Sequence, residues 1–181
     1  MATRAYRRSM TRTLSRPWRR AVLTLHVLCG VGWMGLDIGL ALLVLTGLTT
    51  DDGAVAATAY AAAGMVIPPV VPVLAVGMLG TGVVLGLGTR WGLLTWTWVL
   101  TKLVIGVVLT VLVFVALLPG ALEIPVALSG SADDVRATLG DEASGLAFPP
   151  LVSFALLGVS LVLSVWKPGG RTPWARAPAR T

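Results

Sequence analysis

Of the chain's 181 residues, 56% are hydrophobic and 12% charged, with a mean hydropathy of +0.86. Soluble domains carry about a quarter charged residues, so the composition excludes a water-soluble globular protein and makes lipid the solvent. The net charge of +6 does not signal nucleic acid, because the positive residues gather at the two termini beside apolar spans, which is a topology signal. Cys29 is the single cysteine, so no intrachain disulfide frames the fold.

Residues 1–20 carry Arg4, Arg7, Arg8, Arg12, Arg16, Arg19 and Arg20 and no acid, with Trp18 at the position of an interfacial anchor. This pattern predicts a basic arm on an anionic cytoplasmic leaflet. The apolar run that follows is too long for the core of a signal peptide and is expected to be retained. It covers residues 21–48, enough at 1.5 Å per residue to cross a hydrocarbon core of about 30 Å. Inside it stand His26, Trp33 and Asp37. At about 100° per residue, Trp33 and Asp37 fall within roughly 20° of the His26 direction, so one face of this helix is chemically distinct.

The loop after it holds Asp51 and Asp52 and no base, placing it opposite the arginine-rich arm. A second span, residues 54–88, is interrupted by Pro68, Pro69 and Pro72, where a kink is expected. Gly82 and Gly86 here, like Gly35 and Gly39 in the first span, have the small-residue spacing that lets membrane helices approach closely. Arg90 returns the chain to the cytoplasmic side. A third span, residues 92–118, opens with Trp96 and Trp98 and contains Lys102 inside the apolar run. Residues 119–147 set Glu123, Asp133, Asp134, Asp141 and Glu142 against Arg136 alone, as expected of a solvated outer loop with one short surface helix. A fourth span, residues 149–166, precedes a basic tail, 167–181, with Lys167, Arg171, Arg176 and Arg180. The expected fold is all-α: a polytopic membrane protein, a four-transmembrane-helix bundle in the cell membrane with both termini cytoplasmic. Its expected partner is the lipid bilayer, with a homo-oligomer or another membrane protein as a further candidate partner, and nucleic acid is not expected. A faint internal repeat relates VLTLHVLCGV at Val22–Val31 to VLTKLVIGVV at Val99–Val108.

The polar residues within the spans are the candidate sites, because burying them in hydrocarbon is costly. Imidazole is a common metal or haem ligand that titrates near neutral pH, and a desolvated Lys can exchange protons. His26 is therefore a candidate ligand, with Trp33 and Met78 as neighbours of a bound cofactor, and Lys102 and Asp37 are candidate catalytic residues. The structural alternatives are a hydrogen bond across the bundle for His26 and an ion pair between Asp37 and Lys102 that clamps the first and third spans. The second of these is the favoured reading for that pair, since each is the other's only opposite charge within the predicted spans.

Leu25, His26, Trp33 and Gly35 in the first span, with WTWVLTK from Trp96 to Lys102 in the third, resemble the membrane group of HemJ-type protoporphyrinogen oxidases and CopD-type copper-resistance proteins. They resemble more closely an uncharacterised bacterial four-helix family of the same layout. The resemblance covers roughly residues 21–118. It implies haem b as cofactor, His26 as its axial ligand and Lys102 as a residue of activity. His26 is the only histidine, so a second axial ligand has to come from Met78, Lys102, water or another subunit, and no metal other than haem iron is expected at His26. Two functions stand open: a haem-binding or redox membrane protein, and a non-catalytic scaffold or accessory subunit whose polar residues tie its helices together.

Overall fold

The computed structural model describes residues 14–89, 91–125 and 127–175. The arginines of residues 4–12, Arg90, Arg176 and Arg180 lie outside them. Among the described residues the chain is all-α, with four helical spans long and apolar enough to cross a membrane: Arg16–Thr49, Gly53–Leu87, Thr97–Glu123 and Glu142–Trp166. Only 22–33% of the most apolar stretch of each span is buried within the chain. The perimeter is instead Leu, Val and Phe side chains such as Leu28, Val31, Val73, Val115 and Val165, which suits lipid as solvent. It is a polytopic four-helix membrane bundle.

Helix α1, Arg16–Thr49, has Pro17 in its first turn, where the missing amide costs nothing. Helix α2, Gly53–Leu87, starts where the Asp52 carboxylate accepts the amides of Ala54 and Val55 at 2.8 and 3.2 Å, an N-cap within the predicted acidic loop. It continues through Pro68, Pro69 and Pro72 as one helix. The third span is built of α3 (Thr97–Leu112), a π turn (Val113–Leu117) and α4 (Leu118–Glu123). Pro119 explains the π turn, since its ring would collide with the carbonyl of residue 115 in a regular α-helix. The helix therefore passes the predicted stop at 118 and ends at Glu123.

The start of this span also differs from the predicted 92. Gly92 turns with φ +67°, and the residues before α3 pair with the tail: Trp96, extended, bridges Arg171, the Thr172 amide donates to the Thr95 carbonyl at 2.9 Å, and the amide of Thr97, the first residue of α3, donates to the Gly170 carbonyl at 3.3 Å. With Thr95 and Trp96 held in that pairing, the helix begins only at Thr97. The Leu14 amide, donating to the Gly88 carbonyl at 3.0 Å, ties the start of α1 to the same end of the bundle.

At the opposite end the predicted surface loop is more structured than expected. It forms α5 (Ala132–Leu139) and α6 (Glu142–Gly145) before α7 (Phe148–Trp166). Ser131 and Asp134 make a reciprocal capping box at the start of α5, and Ala132, Val135 and Leu139 turn into the core. The Tyr60 hydroxyl donates to the Ala143 carbonyl at 3.0 Å, fastening α2 to α6. Arg136, read from the sequence as a lone base in a solvated loop, reaches back to α1, where Nη1 donates to the carbonyls of Gly47, Leu48 and Thr50 at 3.1, 3.3 and 3.0 Å. It caps a helix end whose carbonyls have no internal partner. Its Nη2 pairs with Asp133 at 2.8 Å, the one salt bridge among the described residues.

Candidate functional site

The core face of α1 is the stripe Cys29, Trp33, Asp37, Leu40, Val44 and Gly47, spaced three and four residues apart as a helix buries one side. Asp37 thus belongs to the face that packs on the bundle, and His26 lies half-buried at the terminal end of the same side. Sequence reasoning put His26, Trp33 and Asp37 on one face, and the structure does so too. It does not bring them to one point, because Trp33 and Asp37 lie about 10 and 16 Å further along the axis than His26.

His26 faces α2. Its Nδ1 lies 3.0 Å from the Met78 carbonyl and 3.0 Å from the Thr81 hydroxyl, and the Thr81 hydroxyl itself donates to the Gly77 carbonyl at 2.6 Å. A carbonyl only accepts, so Nδ1 carries the proton in that bond and Nε2 keeps the lone pair. Space for the ring comes from Gly82, where a Cβ would sit 3.2 Å from His26 Cε1. Met78 meets the imidazole with its backbone, while its thioether packs toward Gly30. Of the other small-residue pairs, Gly86 packs closely on Leu93, whereas a Cβ at Gly35 or Gly39 would meet none of the described residues within 4 Å.

Lys102 lies on α3 and turns to α7, where its Nζ donates to the Ser164 hydroxyl at 2.6 Å and stands 5.9 Å from the centre of the Trp98 ring. The Ser164 hydroxyl donates onward to the Ser160 carbonyl at 2.9 Å. His26 and Lys102, one residue out of register in the faint repeat, each tie their span to the span that follows it in the chain.

Asp37 is 3% exposed, and its Oδ2 accepts the Ser153 hydroxyl of α7 at 2.6 Å. The Trp33 indole, 1% exposed, lies beside the same carboxyl one turn back, but its Nε1–H does not reach hydrogen-bond geometry. The expected Asp37–Lys102 ion pair is not formed. Antiparallel packing sets residue 37 level with 153 and Lys102 level with 164, and eleven residues of α7 separate those levels by about 16 Å. Each charged group takes a serine at its own depth instead. Ser153, Ser160 and Ser164 are the functional neighbours that sequence reasoning missed. Their spacing of seven and four residues puts them along one side of α7, and the Ser160 hydroxyl is buried without a partner.

Beside Asp37 a cavity of about 340 Å³ opens between α1 and the first turns of α7, walled by Ile38, Leu42, Leu45, Leu151 and Phe154 among others. Among the described residues no three His, Cys, Asp or Glu side chains come together to hold a metal ion. No protein-family model, no curated protein and no solved structure matches the chain. Nothing in these comparisons ties it to the HemJ-type or CopD-type group.

Proposed function

We propose that this small multi-pass membrane protein is a non-catalytic scaffold or accessory subunit of the cell membrane, with both termini cytoplasmic. The observation that carries the reading is the use made of the polar groups within the spans. His26 bonds α2, Asp37 bonds α7, and Lys102 bonds α7 from α3. Hydrogen bonds of this kind hold membrane helices together where lipid supplies no hydrophobic force between them. The orientation rests on Arg16, Arg19, Arg20, Lys167 and Arg171 at one end of the bundle, against the acid-rich α5–α6 region at the other.

A second reading, a haem-binding or redox protein, has one observation in its favour: the Nδ1 bond to Met78 leaves His26 Nε2 free and oriented by a carbonyl, as in metal-ligating histidines. The side chains present fit one axial bond and not two, because the Met78 thioether packs toward Gly30 and the Lys102 amine is held by Ser164. Haem bound there would supply electron transfer or oxygen chemistry. The absorption spectrum of the detergent-purified protein separates the readings. A colourless, folded protein is the expected result, and a Soret band that disappears in His26→Ala would overturn the scaffold proposal.

A further inference from the structure

The cavity beside Asp37 carries an arrangement that helix packing does not require. Asp37 is the one ionisable side chain in a lining that is otherwise apolar. Its Oδ2 is held by Ser153, and the Trp33 indole stands beside the same carboxyl without completing a hydrogen bond. Among the described residues no cation within or beside the spans serves it either: Lys102 is committed to Ser164, and Arg136 to Asp133 and the end of α1. The cleft opens sideways through the lipid-facing surface, since Leu42, Leu45 and Leu151 are each more than half exposed. Its volume is within the range of about 300–1,000 Å³ usual for small-molecule sites.

We propose that this cleft binds a hydrophobic cation, an amine or quaternary onium compound that enters from the bilayer. Its charge sits against the Asp37 carboxylate and its apolar body against Ile38, Leu42, Leu151 and Phe154. The choice of occupant follows from charge complementarity. A carboxylate facing an apolar wall is unfavourable unless a cation, further donors or a proton compensates it, and of these a hydrophobic cation is the one that also fills the cleft. A lipid acyl chain would fill the volume and leave the carboxylate facing hydrocarbon. An anion would be repelled, and a metal ion would find no second ligand of suitable chemistry in the lining. Ser153 holds Oδ2 at 2.6 Å. The site is separate from the His26 and Lys102 ties, so the proposal does not depend on whether the protein is a scaffold.

The test is equilibrium binding of radiolabelled tetraphenylphosphonium to the full chain in phosphatidylcholine nanodiscs, with neutral triphenylphosphine oxide as the matched uncharged probe. Saturable binding of the cation is expected, weakened at least tenfold in Asp37→Asn. Leu42→Trp, a change on the lipid-facing rim that leaves the carboxyl in place, is expected to weaken it by a similar factor, and this variant carries the test if Asp37→Asn fails to fold. The proposal is overturned if the native protein shows no saturable binding, or if a folded Asp37→Asn or Leu42→Trp binds as the native protein does. It is equally overturned if the neutral probe binds as tightly and without regard to Asp37, which would make the cleft an ordinary lipid slot.

Discussion

Replacing Arg136 by Met removes the guanidinium that closes α1 and leaves a side chain of similar length to cover the same surface. Nη1 has two hydrogens for three carbonyls at 3.0–3.3 Å, so the lost interaction is worth fewer than three full bonds. A hydrogen bond to a charged group contributes about 1.5–3 kcal/mol when its partner is left buried, and the charge at a helix C-terminus adds about 0.3–1 kcal/mol. Because the side chain is 24% exposed, water recovers part of this, and a net loss of about 2–3 kcal/mol is expected. The companion change Asp133→Asn breaks only an ion pair whose acid is 93% exposed and is expected to have little effect. Both are measured by unfolding in mixed detergent micelles, followed by tryptophan fluorescence. Arg136→Lys should recover only part of the loss, since an ammonium lacks the planar fork. A loss for Arg136→Met below about 0.5 kcal/mol, the ordinary range of a surface substitution, would refute the assignment of Arg136 as the cap of α1.

Ser164→Ala strands the Lys102 ammonium and is expected to lower stability by about 1–3 kcal/mol, whereas Lys102→Met, which removes the need along with the bond, should cost less; the reverse order in thermal unfolding would contradict the tie between α3 and α7. The Ser131 hydroxyl and amide both donate to Asp134 and hold its carboxyl below the usual carboxylate value. A depressed folded value gives stability that is present above the unfolded value, about 3.9, and lost as pH falls through the folded one. The protection factors of the α5 amides, taken against the intrinsic exchange rate at each pH, should therefore fall in acid in the native chain and change less with pH in Asp134→Asn; identical profiles would rule the capping box out as the cause. With Cys29 replaced by Ala, Asp134→Cys should react with a membrane-impermeant maleimide added outside intact cells, and labelling only after the cells are broken would reverse the proposed orientation.

The four spans were legible because a hydrocarbon core imposes length and apolarity on any helix that crosses it, and each span met both. Their ends were less so. Pro119 is a stop signal in water-exposed helices, but the π turn absorbed it, and α3 began late because of a tail more than seventy residues away, through Gly170 and Thr172. The anomalous side chains His26, Asp37 and Lys102 were visible as costs, while their partners were not. A hydroxyl in an apolar helix looks like a small packing residue, so Ser153 and Ser164 gave no sign of their role beyond a shared side of α7 with Ser160. Charge alone suggested that Asp37 should meet Lys102, while residue counts along the spans already set the two several ångströms apart in depth, and that difference is what separates them. The cap at Arg136 was hidden for a similar reason: its acceptors are backbone carbonyls 86–89 residues earlier, and backbone groups carry no sequence signature.

The reliance of both charged groups on α7 sets an order on how the protein is made. Asp37 precedes Ser153 by 116 residues and Lys102 precedes Ser164 by 62, so during synthesis three spans are complete while a carboxyl and an ammonium still lack their hydroxyls. Insertion of those spans is therefore not the same event as folding. A nascent chain halted before Phe148 presents the bilayer with two polar groups that lack their hydroxyls and an open side to the bundle. Arrival of α7 supplies a hydroxyl to each, and Thr172, following it, bonds the Leu94 and Thr95 carbonyls.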